Sequence, residues 1–451
     1  MKKLYLAISA ALVIIVVLLS GPLLTNQSPS KSGKPNAYVG ISYCGDTVEQ
    51  GKQLIDKVKG YTNLFSLQSG LLQRDLDRVE ELGDYAIDSG MYFLPYFGYF
   101  VPETFSVWLE SAKTKWGDHL LGVYHGDEPG GKMLDGYVEY KDNATGDSIV
   151  KTMYGDVVLQ KTNNIVINYE FNGNIRLSEP ALAGSTSGLN SEVVFYPNGT
   201  VEIVRPAPRG FSYQTYQQLE DLRPLKDNAE TAQRFYTRDK DSLDLLRNYT
   251  EVFTSDYGMY WFDYKAGYDV VLSQLGWNIS VNQQLSFLRG AATAQQKDWG
   301  VIITWKYQTP PYLDNGTEIL RQMQTSYECG AKYFIIFDYY GENPGTYGTM
   351  QEAHFEALKS FWRDVVNNPQ IVQGSIKADS VVVFPKNYGW GARWEEDKIW
   401  GIFKADNQTR QMWTLMQKTL ETHGLKTDFS YDDIDFPFSL IYQNIYYCNE
   451  K

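Results

Sequence analysis

From residue 37 onward, short apolar runs alternate with longer segments in which apolar residues recur every three or four positions. The short runs predict β-strands and the longer segments predict amphipathic helices. Strands that alternate with helices form parallel sheets. The predicted strands are 37–44, 63–70, 91–100, 119–131 (a strand with its loop), 258–264, 269–276, 300–307 and 332–341. Eight such units predict an α/β fold, a TIM (β/α)8 barrel over residues 37–377.

The sixth of these strands is the least secure. The link at 265–267 is too short for a helix, so the sixth strand requires an abbreviated crossover. In the alternative interpretation, 258–275 is one strand with its loop. Residues 378–387 would then supply the eighth strand.

Two segments depart from the alternation of strands and helices. Residues 132–225 show two-residue alternation and turn signals, including Asn198-Gly199, which is typical of a tight hairpin turn. They predict a β-rich insertion in the fourth βα loop. Residues 378–451 predict a small α/β appendage, with a strand at 380–384, a helix around 408–424 and a closing strand near 444–448.

The first residues resemble a membrane-insertion signal. Lys2 and Lys3 precede a mainly apolar run from Leu4 to Leu24. Its length approaches the ~20 residues that span a bilayer, which favours a retained anchor over a cleaved signal peptide. A polar segment, 25–36, would form a flexible stalk. We therefore expect the remainder at the extracellular face of the cell membrane, or secreted.

Composition narrows the range of functions. A net charge of −13, from 54 acidic and 41 basic residues, argues against a nucleic-acid partner. Three cysteines allow at most one bridge, and four scattered histidines show no zinc-ligand spacing, so no metal site is predicted. Nucleotide-binding and serine-hydrolase motifs are absent from the sequence, and no cofactor is expected. Seven Asn-x-Ser/Thr sequons are possible glycosylation sites on an exported glycoprotein.

The sequence GDEPGG at 126–131 follows the fourth predicted strand. Its acids, Asp127 and Glu128, fall at the carboxyl end of a barrel strand, where barrel enzymes place catalytic groups. Asp127-Glu128-Pro129 resembles the Asn-Glu, often followed by Pro, of the large retaining clan of barrel glycoside hydrolases. The resemblance implies that Glu128 is the general acid/base. Asp127 stands where that clan has the Asn that holds the sugar 2-hydroxyl. A turn or helix-start signal is the alternative interpretation of the tripeptide.

Cleavage of a glycoside requires a second carboxyl group. The candidates are Asp263, at the end of the fifth predicted strand, Asp338, in the eighth, and Glu342. The clan's nucleophile is a Glu at the end of strand seven, where this chain has Trp305-Lys306-Tyr307. The sequence therefore leaves the second carboxyl group, and retention or inversion, open.

Several residues near the predicted strand ends could bind a sugar. Aromatic faces stack on the C–H faces of sugars, although packing in the core is an equal alternative for the tyrosines. Lys306 could bind sugar hydroxyls or neutralise Asp338. The substrate-binding candidates are Asp127, Lys306, Trp305, Tyr307, Tyr43, Tyr96 and Tyr264. We expect Arg289 to pin the barrel, and the aromatic loop 384–401 to dock the appendage.

Three functions compete. The leading hypothesis is an exported, membrane-anchored glycoside hydrolase-like enzyme that acts on a polysaccharide or glycan. The alternative is a non-catalytic surface barrel that binds glycan or envelope components. An envelope scaffold that makes protein contacts through the insertion is a third, weaker possibility.

Overall fold

A computed structural model gives the fold. It describes residues 35–98, 103–135, 138–141, 148–152, 155–159, 166–169, 174–180, 189–205, 227–338 and 345–448. The predicted anchor, nearly all of the predicted stalk, and Glu342 lie outside the described residues. Within the described ranges, no helix combines the length and apolar character needed to cross a bilayer.

The strands are numbered in chain order. The first four are β1 Tyr38–Tyr43, β2 Leu64–Leu67, β3 Tyr92–Phe97 and β4 Val123–His125. The next seven strands are β5 Val138–Lys141, β6 Ser148–Thr152, β7 Gly155–Leu159, β8 Val166–Tyr169, β9 Ile175–Pro180, β10 Leu189–Phe195 and β11 Val201–Arg205. The last seven are β12 Val252–Asp256, β13 Val270–Leu275, β14 Asp298–Ile303, β15 Tyr333–Asp338, β16 Ser380–Phe384, β17 Thr427–Tyr431 and β18 Asn444–Tyr447.

Apart from the short helices α4 and α7, the helices follow the amphipathic segments of the sequence. They are α1 Val48–Val58, α2 Leu76–Asp88, α3 Glu103–Trp116, α4 Pro129–Asp135, α5 Asn228–Arg238, α6 Lys240–Arg247, α7 Tyr260–Ala266, α8 Val281–Gln295, α9 Gly316–Glu328, α10 Glu352–Trp362 and α11 Asn407–His423. Side chains of Thr47, Ser280 and Asn315 accept a backbone N–H in the first turns of α1, α8 and α9. Each cap satisfies an amide that has no partner within its helix.

Eight strands form the barrel. β1–β4 and β12–β15 pair in parallel and close on themselves through β1 and β15. The predicted TIM (β/α)8 barrel is therefore confirmed. Alternate residues of the strands fill its interior with a separate core that includes Tyr38, Phe253 and Tyr333. The opposite faces pack against the helices.

The predicted β-rich insertion is confirmed in the fourth βα connection. After α4 come a three-stranded antiparallel sheet, β5–β7, and a four-stranded antiparallel sheet, β8–β11. The amide of Tyr196 donates to the carbonyl of Thr200 across the turn between β10 and β11. Gly199, in that turn, has a φ of 83°, which its missing side chain permits.

The C-terminal appendage is a three-stranded parallel sheet with α11. β16 lies between β17 and β18 and pairs with no barrel strand. The alternative that placed the eighth barrel strand at 378–387 is therefore wrong, and the sixth strand stands as β13.

The prediction of the fifth strand from the sequence was wrong. It is β12, Val252–Asp256, whereas the predicted segment 258–264 mostly forms helix α7. Tyr260 to Tyr264 are all buried between the barrel and the appendage. Five successive buried residues present no polar face, so their pattern cannot be distinguished from that of a buried strand.

Arg289, on α8, joins the barrel to the appendage. Its Nε lies 2.8 Å from Oδ1 of Asp428 on β17, and both side chains are almost fully buried. Its guanidinium also donates to the backbone carbonyls of Ile376 and Leu425. The expectation that Arg289 has a structural role agrees with these contacts.

Arg289→Ala should lower the free energy of unfolding by about 3–5 kcal/mol, because it leaves Asp428 charged and buried without its partner. Urea denaturation followed by fluorescence measures this loss. Arg321→Ala is the matched control, since Arg321 pairs with Glu318 on the exposed face of α9. It should cost less than about 1 kcal/mol. Equal losses in the two variants would contradict the structural role of Arg289.

Candidate active site

A pocket of about 240 Å³ opens at the carboxyl ends of the barrel strands. In TIM barrels this is the end at which active sites lie. The pocket is lined by Gln68, Tyr124, Asp127, Glu128, Ser255, Gln274, Trp277, Ile302, Thr304, Trp305 and Phe337. The predicted pair Asp127 and Glu128 therefore forms part of its wall.

The loop that carries Glu128 has an unusual backbone. Glu128 has a φ of 55°, a left-handed conformation that costs a non-glycine residue energy. The amide of Glu128 donates to the carbonyl of Ser255 at 2.9 Å, and Pro129 then begins α4. Pro suits the first turn of a helix because it lacks an N–H. The fold thus turns the chain sharply at Glu128.

Asp256, at the end of β12, holds the residues that follow this turn. Its Oδ2 accepts the amide of Gly130 at 2.6 Å, and its Oδ1 accepts the amide of Gly131 at 2.9 Å. Oδ1 also accepts the amides of Tyr257 and Gly258. Four backbone donors therefore converge on one fully buried carboxylate. This carboxylate fixes the start of α4 against the fifth strand.

The last two glycines of GDEPGG are required by this close approach. A Cβ on Gly130 would lie 2.3 Å from the Cβ of Met259, and a Cβ on Gly131 would lie 2.3 Å from the ring of Tyr257. Neither distance is possible without a shift of the loop. The tripeptide Asp-Glu-Pro is thus followed by Gly-Gly because no larger residue fits there.

Asp127 is held by hydroxyl groups. Its Oδ1 accepts the hydroxyl of Tyr124 at 2.7 Å and that of Ser255 at 3.1 Å. The Nε2 of Gln274 donates to Ser255 Oγ at 2.8 Å. Burial raises the pKa of Asp127, and its two hydroxyl donors oppose that rise.

Glu128 has the electrostatics of a proton donor. Burial and the negative charge of Asp127 raise the pKa of Glu128 to about 7, while Lys132 and a hydrogen bond from Gln274 oppose the rise. Lys132 Nζ lies 4.0 Å from Glu128 Oε2. A carboxyl group with a pKa near neutrality can donate and accept a proton under physiological conditions.

Aromatic rings form the wall that the sixth, seventh and eighth strands provide. The ring centroid of Trp305 lies 6.3 Å from that of Trp277 and 6.5 Å from that of Phe337. Trp277 remains 40% exposed at the mouth. Flat apolar faces beside polar groups are what a sugar ring requires of a binding site.

Asp263 and Tyr264 do not contribute to the pocket. Both lie on α7, and Asp263 is fully buried there, where burial and the charge of Asp256 raise its pKa. The hydroxyl of Tyr264 donates to the carbonyl of Asp298, which begins β14 at the opposite end of the barrel. The prediction that these two residues end the fifth strand is wrong, because that segment is a helix.

Asp338 lies in the eighth strand, as predicted, where it is the last residue of β15, but it faces away from the pocket. Successive side chains of a strand point to opposite faces. Phe337 lines the pocket, whereas Asp338 lies on the same outward face of the strand as Ile336. The Asp338 carboxyl group accepts the amide of Thr349 before α10. Tyr43, its neighbour on β1, also faces outward, and its hydroxyl donates to the carbonyl of Thr47. The expected roles of both residues at the mouth are not supported by this geometry.

The other candidates divide between the pocket and its surroundings. Trp305 lines the pocket. Tyr96 packs edge-on against Tyr124, with centroids 5.2 Å apart, and therefore borders the pocket floor. Lys306 pairs with Asp314 at 2.9 Å, so the expectation that it neutralises Asp338 is wrong. Tyr307 does not line the pocket and is 43% exposed.

Sequence reasoning missed six polar or aromatic members of the wall. They are Gln68, Ser255, Gln274, Trp277, Thr304 and Phe337. Ser255 was missed because the fifth strand was misplaced. Gln274 lies near the end of the predicted sixth strand, 269–276, and Trp277 follows it, so a search of every strand end for polar and aromatic residues would have found both. Within the described residues, no cluster of three or more acidic, histidine or cysteine side chains could hold a metal ion.

The appendage reaches the site through its aromatic loop. Arg393 pairs with Asp397 in that loop and with Asp135 at the end of α4. Tyr257 donates its hydroxyl to the same Asp135 at 2.7 Å. The expectation that this loop docks the appendage agrees with these contacts.

No family model matches the chain, and no curated protein matches it by sequence. Similar solved structures include GH5_18 from Streptomyces cattleya in complex with GlcNAc, at 9% identity and a TM-score of 0.46, covering 92% of this chain and 99% of that one. The Thermobaculum terrenum O-GlcNAc hydrolase mutant matches at 8% identity and a TM-score of 0.26, over 72% of this chain and 54% of the other. The resemblance to barrel glycoside hydrolases is thus accompanied by a distant structural similarity, which adds nothing to the fold that the closed barrel itself shows.

Asp256→Asn should weaken the hydrogen bonds that hold the Glu128 loop, because an amide offers one acceptor oxygen where the carboxylate offers two. We expect a loss of about 1–3 kcal/mol in the free energy of unfolding. Hydrogen exchange at the amides of Gly130 and Gly131 should become faster. Asp298→Asn, at the exposed amino end of β14, is the matched control and should leave both amides protected. Unchanged hydrogen exchange at these two amides in Asp256→Asn would show that Asp256 does not hold the loop in place.

Asp338 predicts a pH dependence of stability. Burial raises its pKa to about 8, against about 4 in an unfolded chain. Between these values the folded protein keeps a proton that the unfolded chain has released, so the free energy of unfolding falls as pH rises.

In Asp338→Asn, the fall in the free energy of unfolding between pH 5 and pH 8 should be smaller than in the unmodified protein. The difference should be at least about 1.4 kcal/mol, the equivalent of one pKa unit. Urea unfolding at both pH values measures it, with Asp298→Asn again as the control. A variant that shows the same fall as the unmodified protein would show that Asp338 is ionised in the fold.

Proposed function

We propose that the chain hydrolyses glycosidic bonds in a polysaccharide or glycan, with Glu128 as the general acid. The observation that carries the proposal is the position of Glu128 in the wall of the barrel-mouth pocket, where burial and Asp127 raise its pKa to about 7. A substrate ring would stack on Trp277 and Trp305 with its leaving oxygen toward Glu128.

Glu128 can serve both halves of the reaction. It donates its proton to the glycosidic oxygen as the bond to the anomeric carbon breaks. Its carboxylate then takes a proton from the water that adds to that carbon, which restores the acid. The carboxylate of Asp127 lies next to Glu128 and would stabilise the positive charge that develops on the sugar.

Asp263 and Asp338 are not retained in this proposal as the second carboxyl group, since neither side chain lines the pocket. Strand seven, β14, ends at Ile303 and is followed by Thr304 and Trp305, neither of which is an acid. Among the described residues that line the pocket, the acids are Asp127 and Glu128.

The same observations favour a second candidate function. A barrel that binds glycan without cleaving it would use the aromatic wall and the polar groups of the pocket, and it would need no second carboxyl group across from Glu128.

We also propose that the protein is exported and anchored by residues 1–24, which is supported by the two lysines and apolar run at the start of the sequence.

Glu128→Gln tests the catalytic role. On aryl glycosides and polysaccharides that the unmodified protein cleaves, kcat should fall about 10²- to 10⁴-fold, because the proton donor is lost. The first-turnover release of dinitrophenol from a dinitrophenyl glycoside should fall far less, because this leaving group needs no proton. The activity of the unmodified protein should decline above about pH 7, as Glu128 loses its proton.

Glu352→Gln is the matched control, since Glu352 is an exposed acid that pairs with Lys57 on the helical side of the barrel. It should leave kcat unchanged. Equal activity in Glu128→Gln and the unmodified protein would exclude Glu128 as the acid. If the unmodified protein binds sugars but releases no product, and Glu128→Gln changes the affinity only modestly, the binding protein is the correct function.

A further inference from the structure

The aromatic wall of the pocket continues beyond the pocket as a row of rings along the barrel mouth. Three rings of this row follow neighbouring strands: Trp305 follows β14, Trp277 follows β13 and Tyr257 follows β12. The ring centroids of Trp277 and Tyr257 lie 6.5 Å apart, close to the 6.3 Å that separates Trp277 from Trp305. Tyr257 is partly exposed and does not line the pocket. The row therefore leads out of the pocket over the fifth strand.

The appendage extends this row. The guanidinium carbon of Arg393 lies 5.6 Å from the ring centroid of Tyr257 and 4.4 Å from that of Trp394. A guanidinium stacks favourably on aromatic faces, so Arg393 joins the two rings. Salt bridges to Asp135 and Asp397 hold Arg393 in place, and its side chain is only 5% exposed. The row thus continues from the barrel onto the appendage.

Trp394, at the outer end of the row, is 50% exposed. Its contact with the fixed guanidinium of Arg393 restricts the movement of the ring. Exposed apolar surface that is held in one place and is continuous with a pocket is typical of a binding surface. Flat rings rather than branched aliphatic side chains form this surface, which suits a ligand with flat C–H faces.

Exposed polar groups lie beside the rings. The carboxylate of Asp135 is 53% exposed, and it accepts the hydroxyl of Tyr257 at 2.7 Å. Lys132, about one turn earlier on α4, is 41% exposed. Apolar faces flanked by exposed donors and acceptors match a sugar ring, which has C–H faces and hydroxyl groups at its edges, better than they match a lipid chain.

We propose that this aromatic row is an extended binding surface for a glycan chain, in which Trp394 contacts a sugar residue outside the pocket. The proposal deepens the proposed function and rests on it, since the pocket would hold the sugar residue at which Glu128 acts. The substrate is then a chain of several sugar residues rather than a single glycoside. The appendage contributes directly to the binding of that chain.

The test compares a chain with a single sugar. Fluorescence titration measures the affinities of hexasaccharides of β-1,4-linked glucose, mannose and N-acetyl-D-glucosamine, and of the three monosaccharides, in Glu128→Gln, which prevents cleavage. At least one hexasaccharide should bind more tightly than its monosaccharide. The addition of Trp394→Ala should weaken the binding of that hexasaccharide about 10-fold, because a stacking contact is lost, and leave the affinity for the monosaccharide unchanged.

Two further variants serve as controls. Trp394→Phe keeps an aromatic face and should weaken the binding of the hexasaccharide less than about 3-fold. Tyr447→Ala is the matched control, since Tyr447 is 49% exposed on β18 of the same appendage, and it should change neither affinity. The proposal is overturned if no hexasaccharide binds more tightly than its monosaccharide, if Trp394→Ala leaves the hexasaccharide affinity unchanged, or if it weakens both ligands equally.

The titration needs no turnover, so it separates the binding surface from the proposed reaction. A hexasaccharide affinity that falls in Trp394→Ala, in a protein that releases no product when Glu128 is intact, supports the extended surface while the proposed hydrolysis fails. Hydrolysis that depends on Glu128, with an unchanged hexasaccharide affinity in Trp394→Ala, rejects the extended surface alone.

Discussion

The candidate site depends on one interaction, the seating of the loop 126–131 on the carboxylate of Asp256. Four backbone amides donate to that carboxylate, and two of them belong to the glycines that follow Glu128 and Pro129. A left-handed glutamate is unfavourable by itself, so a rigid neighbour must hold it. The fifth strand supplies that neighbour, and the close packing explains why the loop ends in Gly-Gly.

Burial raises the pKa of several acids in this barrel, but their roles differ. Glu128 and Asp338 both have pKa values raised by desolvation, to about 7 and about 8. Asp338 faces the helices and accepts the amide of Thr349, whereas Glu128 faces a pocket with an aromatic wall. A shifted pKa identifies an acid removed from water, and only the direction of the side chain shows whether a substrate can reach it.

Most of the fold was predictable because its pattern is local. Seven of the eight barrel strands, the β-rich insertion and the appendage follow from alternation along the chain. The fifth strand did not, since the first five residues of α7 are all buried and show no helical pattern, while Val252–Asp256 is short and ends in polar residues. That one error hid Ser255 and Asp256, and it assigned a pocket role to Asp263. Glu128 was found because its position depends on β4 alone, whereas the contacts of Gln274 with Ser255 on β12 and Gln284 on α8 are visible only in the folded protein.

The appendage is part of the architecture of the site. Helix α4, which begins directly after Glu128, is fixed at its start by Asp256 and at its end by Asp135, which Arg393 and Tyr257 both contact. Arg393 belongs to the appendage, and its side chain is only 5% exposed. The fifth strand and the appendage thus hold the two ends of α4, so the position of the backbone at Glu128 depends on both.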